Sequence, residues 1–105
     1  MVGGGGGNGR GGRDAVHPGR LLQRDFMVPH GLSATGLAEF LHVPANRITD
    51  IVRGRRGISA DTALRLARYF GGAPEFWLDR QNRFDLMRAQ EAAKRDLSRI
   101  PRRAG

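Results

Sequence analysis

Residues 33–56 read Ser33-Ala-Thr-Gly-Leu-Ala-Glu-Phe-Leu-His-Val-Pro-Ala-Asn-Arg-Ile-Thr-Asp-Ile-Val-Arg-Gly-Arg-Arg56. Ser33 is suited to cap a helix whose inner stripe is Leu37, Ala38 and Leu41. His42 and Val43 make a short turn. Pro44 then opens a second helix, where its missing N–H costs nothing. At about 100° per residue, Ile48, Ile51 and Val52 fall on one arc of that helix. Asn46, Thr49, Asp50 and Arg53 cluster on the opposite side, with Arg47 at the edge. Gly54 ends the helix, and Arg55, Arg56 and Gly57 form a loop.

The outward face thus carries an amide, a hydroxyl, a carboxylate and guanidinium groups, with no large apolar side chain. These types meet base edges: Asn pairs with adenine, Asp accepts from cytosine, and Thr touches a thymine methyl. Arg53, Arg55 and Arg56, at the helix end, suit phosphates. Asp50 repels phosphates, so it either reads a cytosine or pairs within its helix with Arg47 or Arg53, the second being the simpler expectation. A capped helix, a brief turn and a short proline-led helix with a basic exit together define a helix-turn-helix unit.

Outward from this unit the pattern stays helical. A helix is expected from Pro18, carrying the apolar pair Leu22 and Phe26 and ended by Pro29 and Gly31. Ser59 caps a fourth helix with Asp61 against its dipole and an expected inner face of Ala60, Ala63, Leu64, Ala67 and Phe70. Gly71 and Gly72 terminate it. Pro74 starts a fifth helix with Trp77, Gln81, Phe84 and Arg88 on one side, packed as far as Phe84 or Met87 and frayed beyond, with Pro101 as its stop. Trp77 is expected in the core and Phe76, off that stripe, at an interface. No segment alternates with period two over strand length. The expected architecture is all-α: five helices, with a disordered glycine-rich tail over residues 1–16, a DNA-binding domain over 17–87, and a basic helical extension and tail over 88–105.

Composition narrows the function. The 105 residues carry a net charge of +8, with 18 Lys and Arg against 10 Asp and Glu, which favours a polyanionic partner. There are no cysteines, which removes disulfides, thiolate metal sites and thiol nucleophiles. No apolar run reaches membrane-spanning length and no secretory signal is visible, so a cytoplasmic location is expected. The glycine-rich run 3–12 matches G-x-G-x-x-G only trivially, with no strand before it. His17, His30 and His42 show no helical metal-ligand spacing, and His17 is assigned to ordering the chain entry. Ser33, Ser59 and Ser98 lack a base partner, and no carboxylate pair suits acid–base work. Neither enzymatic activity, a metal nor a cofactor is expected.

The run from Ser33 to Arg56 resembles the phage-repressor-like (Xre) helix-turn-helix class, whose structural type is the lambda-repressor-like fold. Three further runs are similar to HigA/VapI-type antitoxins: His17-Pro-Gly-Arg-Leu-Leu, Ile58-Ser-Ala-Asp-Thr-Ala-Leu-Arg-Leu-Ala-Arg-Tyr-Phe-Gly, and Pro74-Glu-Phe-Trp-Leu. The resemblance implies a homodimer on a palindromic DNA operator, repression of its own operon, and neutralisation of a HigB-like ribonuclease toxin. By position it implies base-facing roles for Ala45, Asn46, Arg47, Thr49 and Asp50. It implies DNA-backbone contacts for Ser33, Thr35, Arg53, Arg55 and Arg56. His42 stands where the family often has glycine, at a turn position that requires positive φ. A repressor without a toxin, or a basic RNA-binding or inhibitor module, are the rival readings.

Overall fold

The computed structural model describes residues 15–103; the glycine-rich tail expected at the N-terminus lies, through residue 14, outside the described residues. Among the described residues the chain forms five helical segments. Segment α1 runs as an α-helix over Pro18–Leu21, a π-helix over Leu22–Met27 and a 3-10 turn over Val28–His30. It is followed by α2 (Ala34–Leu41), α3 (Ala45–Val52), α4 (Ala60–Phe70) and α5 (Pro74–Arg99). No strand occurs among the described residues.

Each boundary has a local cause. At the head of α1, His17 Nδ1 accepts from the Gly19 N–H at 2.9 Å. Pro29 does not end α1 as expected, but sits inside its last turn. A wide π turn precedes that proline, with the Val28 N–H reaching the Gln23 carbonyl. Gly31 makes the actual stop, at φ 64°. Ser33 Oγ accepts from the Gly36 N–H at 3.0 Å and caps α2. His42 closes α2 in the left-handed region, φ 60° and ψ 46°, the backbone its place in the turn requires. Pro44 stands one residue outside α3, as its cap, and its carbonyl accepts from the Arg47 N–H at 3.0 Å. Ser59 Oγ caps α4 by accepting from the Thr62 N–H, and Gly71 and Gly72 end it at positive φ.

The core joins all five helices through Leu22, Met27, Leu37, Ala38, Leu41, Ile48, Ile51, Ala63, Leu66 and Trp77, with Ile58 from the loop. Helix α2 packs chiefly on α3, and α4 on α5, while α1 touches both α3 and α5. Gly19 permits the α1–α3 contact: a Cβ there would run into the Ile51 carbonyl. Phe26 closes one end of the core, its ring 4.8 Å from Trp77 and 5.1 Å from Phe70.

The expected inner face of α4 is not the one observed. The buried face of α4 is Thr62, Ala63, Leu66 and Ala67, whereas Ala60 and Leu64 are exposed. Thr62 hid the true stripe by being polar, yet it is buried with its hydroxyl 3.4 Å from Ser59 Oγ. Leu64 instead shares a surface cleft with Phe40 and Tyr69, whose rings stack at 5.2 Å. Phe76, expected at an interface, is half-buried beside Phe26 and Trp77, with the Arg80 guanidinium 3.7 Å over its ring. Beyond Met87, α5 continues to Arg99 as the helical extension expected there, although little of it packs on the core. Ala89, Gln90, Glu91, Ala92, Ala93 and Lys94 are strong helix formers, and this propensity sustains the helix without tertiary cover. Ile100, preceding Pro101, turns extended.

His17 ties this scaffold to pH. Burial pushes its imidazole below the ordinary value, opposed in part by the Asp85 carboxylate and by a bond to the Arg56 carbonyl. The unfolded chain therefore takes up the proton first as pH falls. The stability contributed is fully present above about pH 6.5 and is lost as pH drops through the lowered folded value. The denaturation midpoint is expected to fall between pH 7 and 5.5. In His17→Asn, which retains a capping oxygen, that fall should disappear; a persistent slope measured by urea titration would assign it elsewhere.

Candidate nucleic-acid interface

Helix α3 has only eight residues, and its two faces differ sharply. Ile48 and Ile51 are fully buried, which turns the opposite side outward. Ala45 and Asn46 are exposed at its start, Arg47, Thr49 and Asp50 are half-buried, and Arg53 is exposed at its end. Ser33 and Thr35 lie exposed at the start of α2. Ser33 is committed as the α2 cap, and Thr49 Oγ1 donates to the Ala45 carbonyl at 3.2 Å. All five residues expected to face bases thus share one short helix, while those expected on the DNA backbone divide between α2 and the α3 exit.

The ion pairs differ from expectation. Asp50 does not pair with Arg47 or Arg53. It lies 3.2 Å from Arg55 Nη2 and 3.6 Å from Arg56 Nη2, both from the following loop. Its carbonyl also accepts from the N–H groups of Arg55 and Arg56, at 2.8 and 3.2 Å. Gly54, at φ 75°, turns the chain back so that the loop wraps the end of α3. Arg47 instead crosses to α4, where Nη1 donates to Asp61 Oδ2 at 2.6 Å. The same oxygen accepts from Arg65 Nε at 2.9 Å. These two arginines hold the Asp61 carboxyl below the usual carboxylate range, Arg65 contributing more than Arg47.

Two further residues brace the site. Gln81 Oε1 accepts from the buried Ile58 N–H at 2.7 Å, anchoring the arginine loop to α5. Gln81 Nε2 in turn donates to Asp85 Oδ1 at 2.9 Å. Beside the loop, His17 meets Phe84 edge to face at 5.0 Å. Gln81 was legible as a member of the packed stripe, but its partner on the loop was not. Of the newly found residues, only Asp61 and Arg65 carried a local signal, an acid four residues before an arginine.

The architecture defines a helix-turn-helix protein, and comparison places it more closely. The Helix-turn-helix family matches residues 24–77, and the chain belongs to it. Within that family it falls in the group of HigA- and VapI-type antitoxins. It is 53% identical over 77 residues to virulence-associated protein I of Dichelobacter nodosus, spanning 73% of this chain and 71% of that protein. It is 36% identical over 86 residues to antitoxin HigA-1 of Vibrio cholerae, spanning 78% and 81% respectively. The solved structure of Pseudomonas aeruginosa antitoxin HigA with the higBA promoter superposes with a TM-score of 0.81 at 38% identity, covering 84% of this chain and 96% of that one. The family is one of DNA-binding proteins rather than enzymes. No helix among the described residues is long and apolar enough to cross a membrane.

Replacing Gln81 by Leu keeps side-chain bulk but leaves the buried Ile58 N–H without a partner. A loss of about 1–3 kcal/mol is expected in equilibrium unfolding. Amide exchange at Ile58 should accelerate as the loop is released, while the far end of α5 is unaffected.

Proposed function

We propose that this protein is a repressor-antitoxin, which binds double-stranded DNA at its own promoter and neutralises a HigB-like toxin. In this reading it acts as a cytoplasmic homodimer on a palindromic operator. Ala45, Asn46, Arg47, Thr49 and Asp50 face bases, while Ser33, Thr35, Arg53, Arg55 and Arg56 meet the sugar-phosphate backbone. Residues 17–87 form the DNA-binding unit and 88–105 a basic extension. The observation that carries the reading is the polar face of α3, held outward by Ile48 and Ile51 on the opposite side. It is supported by the likeness to an antitoxin solved with promoter DNA.

Two features support the dimer. Leu86, Leu97 and Ile100 are large apolar side chains left exposed on α5 and just past its end. Leu86, Ala93 and Ile100 recur every seven residues, with Gln90 and Leu97 between them, so they form one stripe that a second copy would cover. A twofold dimer would set two α3 helices about 34 Å apart, one turn of DNA.

A footprint of the purified protein on its own promoter tests the reading. Two protected half-sites one helical turn apart are expected. With 6–10 phosphate contacts, affinity should fall roughly 10³–10⁵-fold between 50 and 200 mM salt. Asn46→Ala should weaken the specific site by about 1–3 kcal/mol and spare binding to random DNA. An equal loss on both would remove direct base readout by Asn46.

Leu97→Arg is expected to shift sedimentation from dimer to monomer and to abolish joint occupancy of the half-sites. An unaltered dimer would clear the α5 stripe of this role.

A further inference from the structure

We infer that Asp61 and Arg65 are positioning residues that set the discrimination of the DNA interface by holding Arg47 in place. The inference rests on the reading of α3 given above. Neither residue lies on α3, and each is exposed enough that its ion pair contributes little to stability.

The arrangement is continuous. Arg65 Nη1 donates to the Leu41 carbonyl at 2.8 Å and approaches the His42 carbonyl at 3.4 Å. These carbonyls end α2, where the helix runs out of its own donors. Arg65 Nε donates to Asp61 Oδ2 at 2.9 Å, and the same oxygen accepts from Arg47 Nη1 at 2.6 Å. The turn between α2 and α3 is thereby linked through α4 to one side chain of α3. Asp61 occupies the first turn of α4, so its position is fixed by a helix that the core holds through Thr62, Ala63 and Leu66.

Two consequences follow for DNA. An arginine fixed in one direction loses less conformational freedom on meeting a base edge than one that samples many rotamers. A neighbouring carboxylate also offsets its attraction to any phosphate it passes, which weakens sequence-independent binding. Asp61 therefore favours recognition of one site over indiscriminate adhesion. The same logic repeats at the other end of α3, where Asp50 holds Arg55 and Arg56. Those contacts lie within one continuous segment, whereas the Asp61 link crosses from α4 to a side chain of α3.

The test compares Asp61→Asn, Asp61→Glu, Arg47→Ala, Asn46→Ala and the Asp61→Asn/Arg47→Ala double variant on promoter and scrambled duplexes. In Asp61→Asn the ratio of specific to non-specific affinity should fall, by no more than the roughly 5- to 150-fold that a single good arginine–base contact contributes. Binding to scrambled DNA should strengthen, with the log–log salt slope steeper by about 0.9 as Arg47 takes up a phosphate. Asp61→Glu should restore the ratio. Once Arg47 is alanine, the Asp61→Asn change should have no further effect, and thermal midpoints should stay close to the parent throughout. A ratio unchanged in Asp61→Asn, or additive losses in the double variant, would overturn the inference. If Asn46→Ala still loses specificity in that case, the reading of α3 stands and only the positioning role fails. If neither Asn46→Ala nor Asp61→Asn alters the ratio, both fail together.

Discussion

A helix of eight residues has almost no stability of its own in water, because nucleation fixes several residues for each hydrogen bond gained. Helix α3 exists because Ile48 and Ile51 are removed from solvent entirely. Each such burial contributes about 1.5–3 kcal/mol. The same burial decides orientation, since a helix pinned along one side must show the other. Asn46 and its neighbours are therefore presented by the core beneath them. Nearly every other feature serves this seat. Gly19 lets the backbone of α1 meet the Ile51 carbonyl, and α2 lies alongside α3 across a turn that His42 closes in the left-handed region.

The charge on this surface is more ordered than a net value of +8 suggests. Asp61 faces Arg47 and Arg65, while Asp50 faces Arg55 and Arg56. A phosphate approaching these arginines competes with a carboxylate already in place. Such pairs are screened and individually weak. Their effect lies in where the guanidinium groups point and in how strongly any polyanion attracts them.

The loop carrying Arg55 and Arg56 is held from beneath. Gln81 satisfies the Ile58 N–H, and His17 lies between the loop and Phe84. Two polar side chains, one expected at the chain entry and one in the packed stripe of α5, are thus bonded to the backbone of the basic loop. The site is hydrogen-bonded where it joins the core and exposed where it ends.

What the sequence determined by itself was local: caps, stops and the period of apolar residues. Ser33, Ser59, Gly31 and the Gly71–Gly72 pair each act through atoms within a few residues, so their types announced the helix boundaries. Ile48 and Ile51 announced which side of α3 faces inward for the same reason. Tertiary structure alone decided which partners the polar and charged groups took. Thr62 looked like surface and is buried, Leu64 looked like core and is exposed, and Arg47 reaches across fourteen positions to Asp61. A side chain's period reveals that it has a face, but only the placement of neighbouring helices fixes what that face meets. Long arginine side chains, free to bend toward whichever carboxylate lies nearest, are where that difference is greatest.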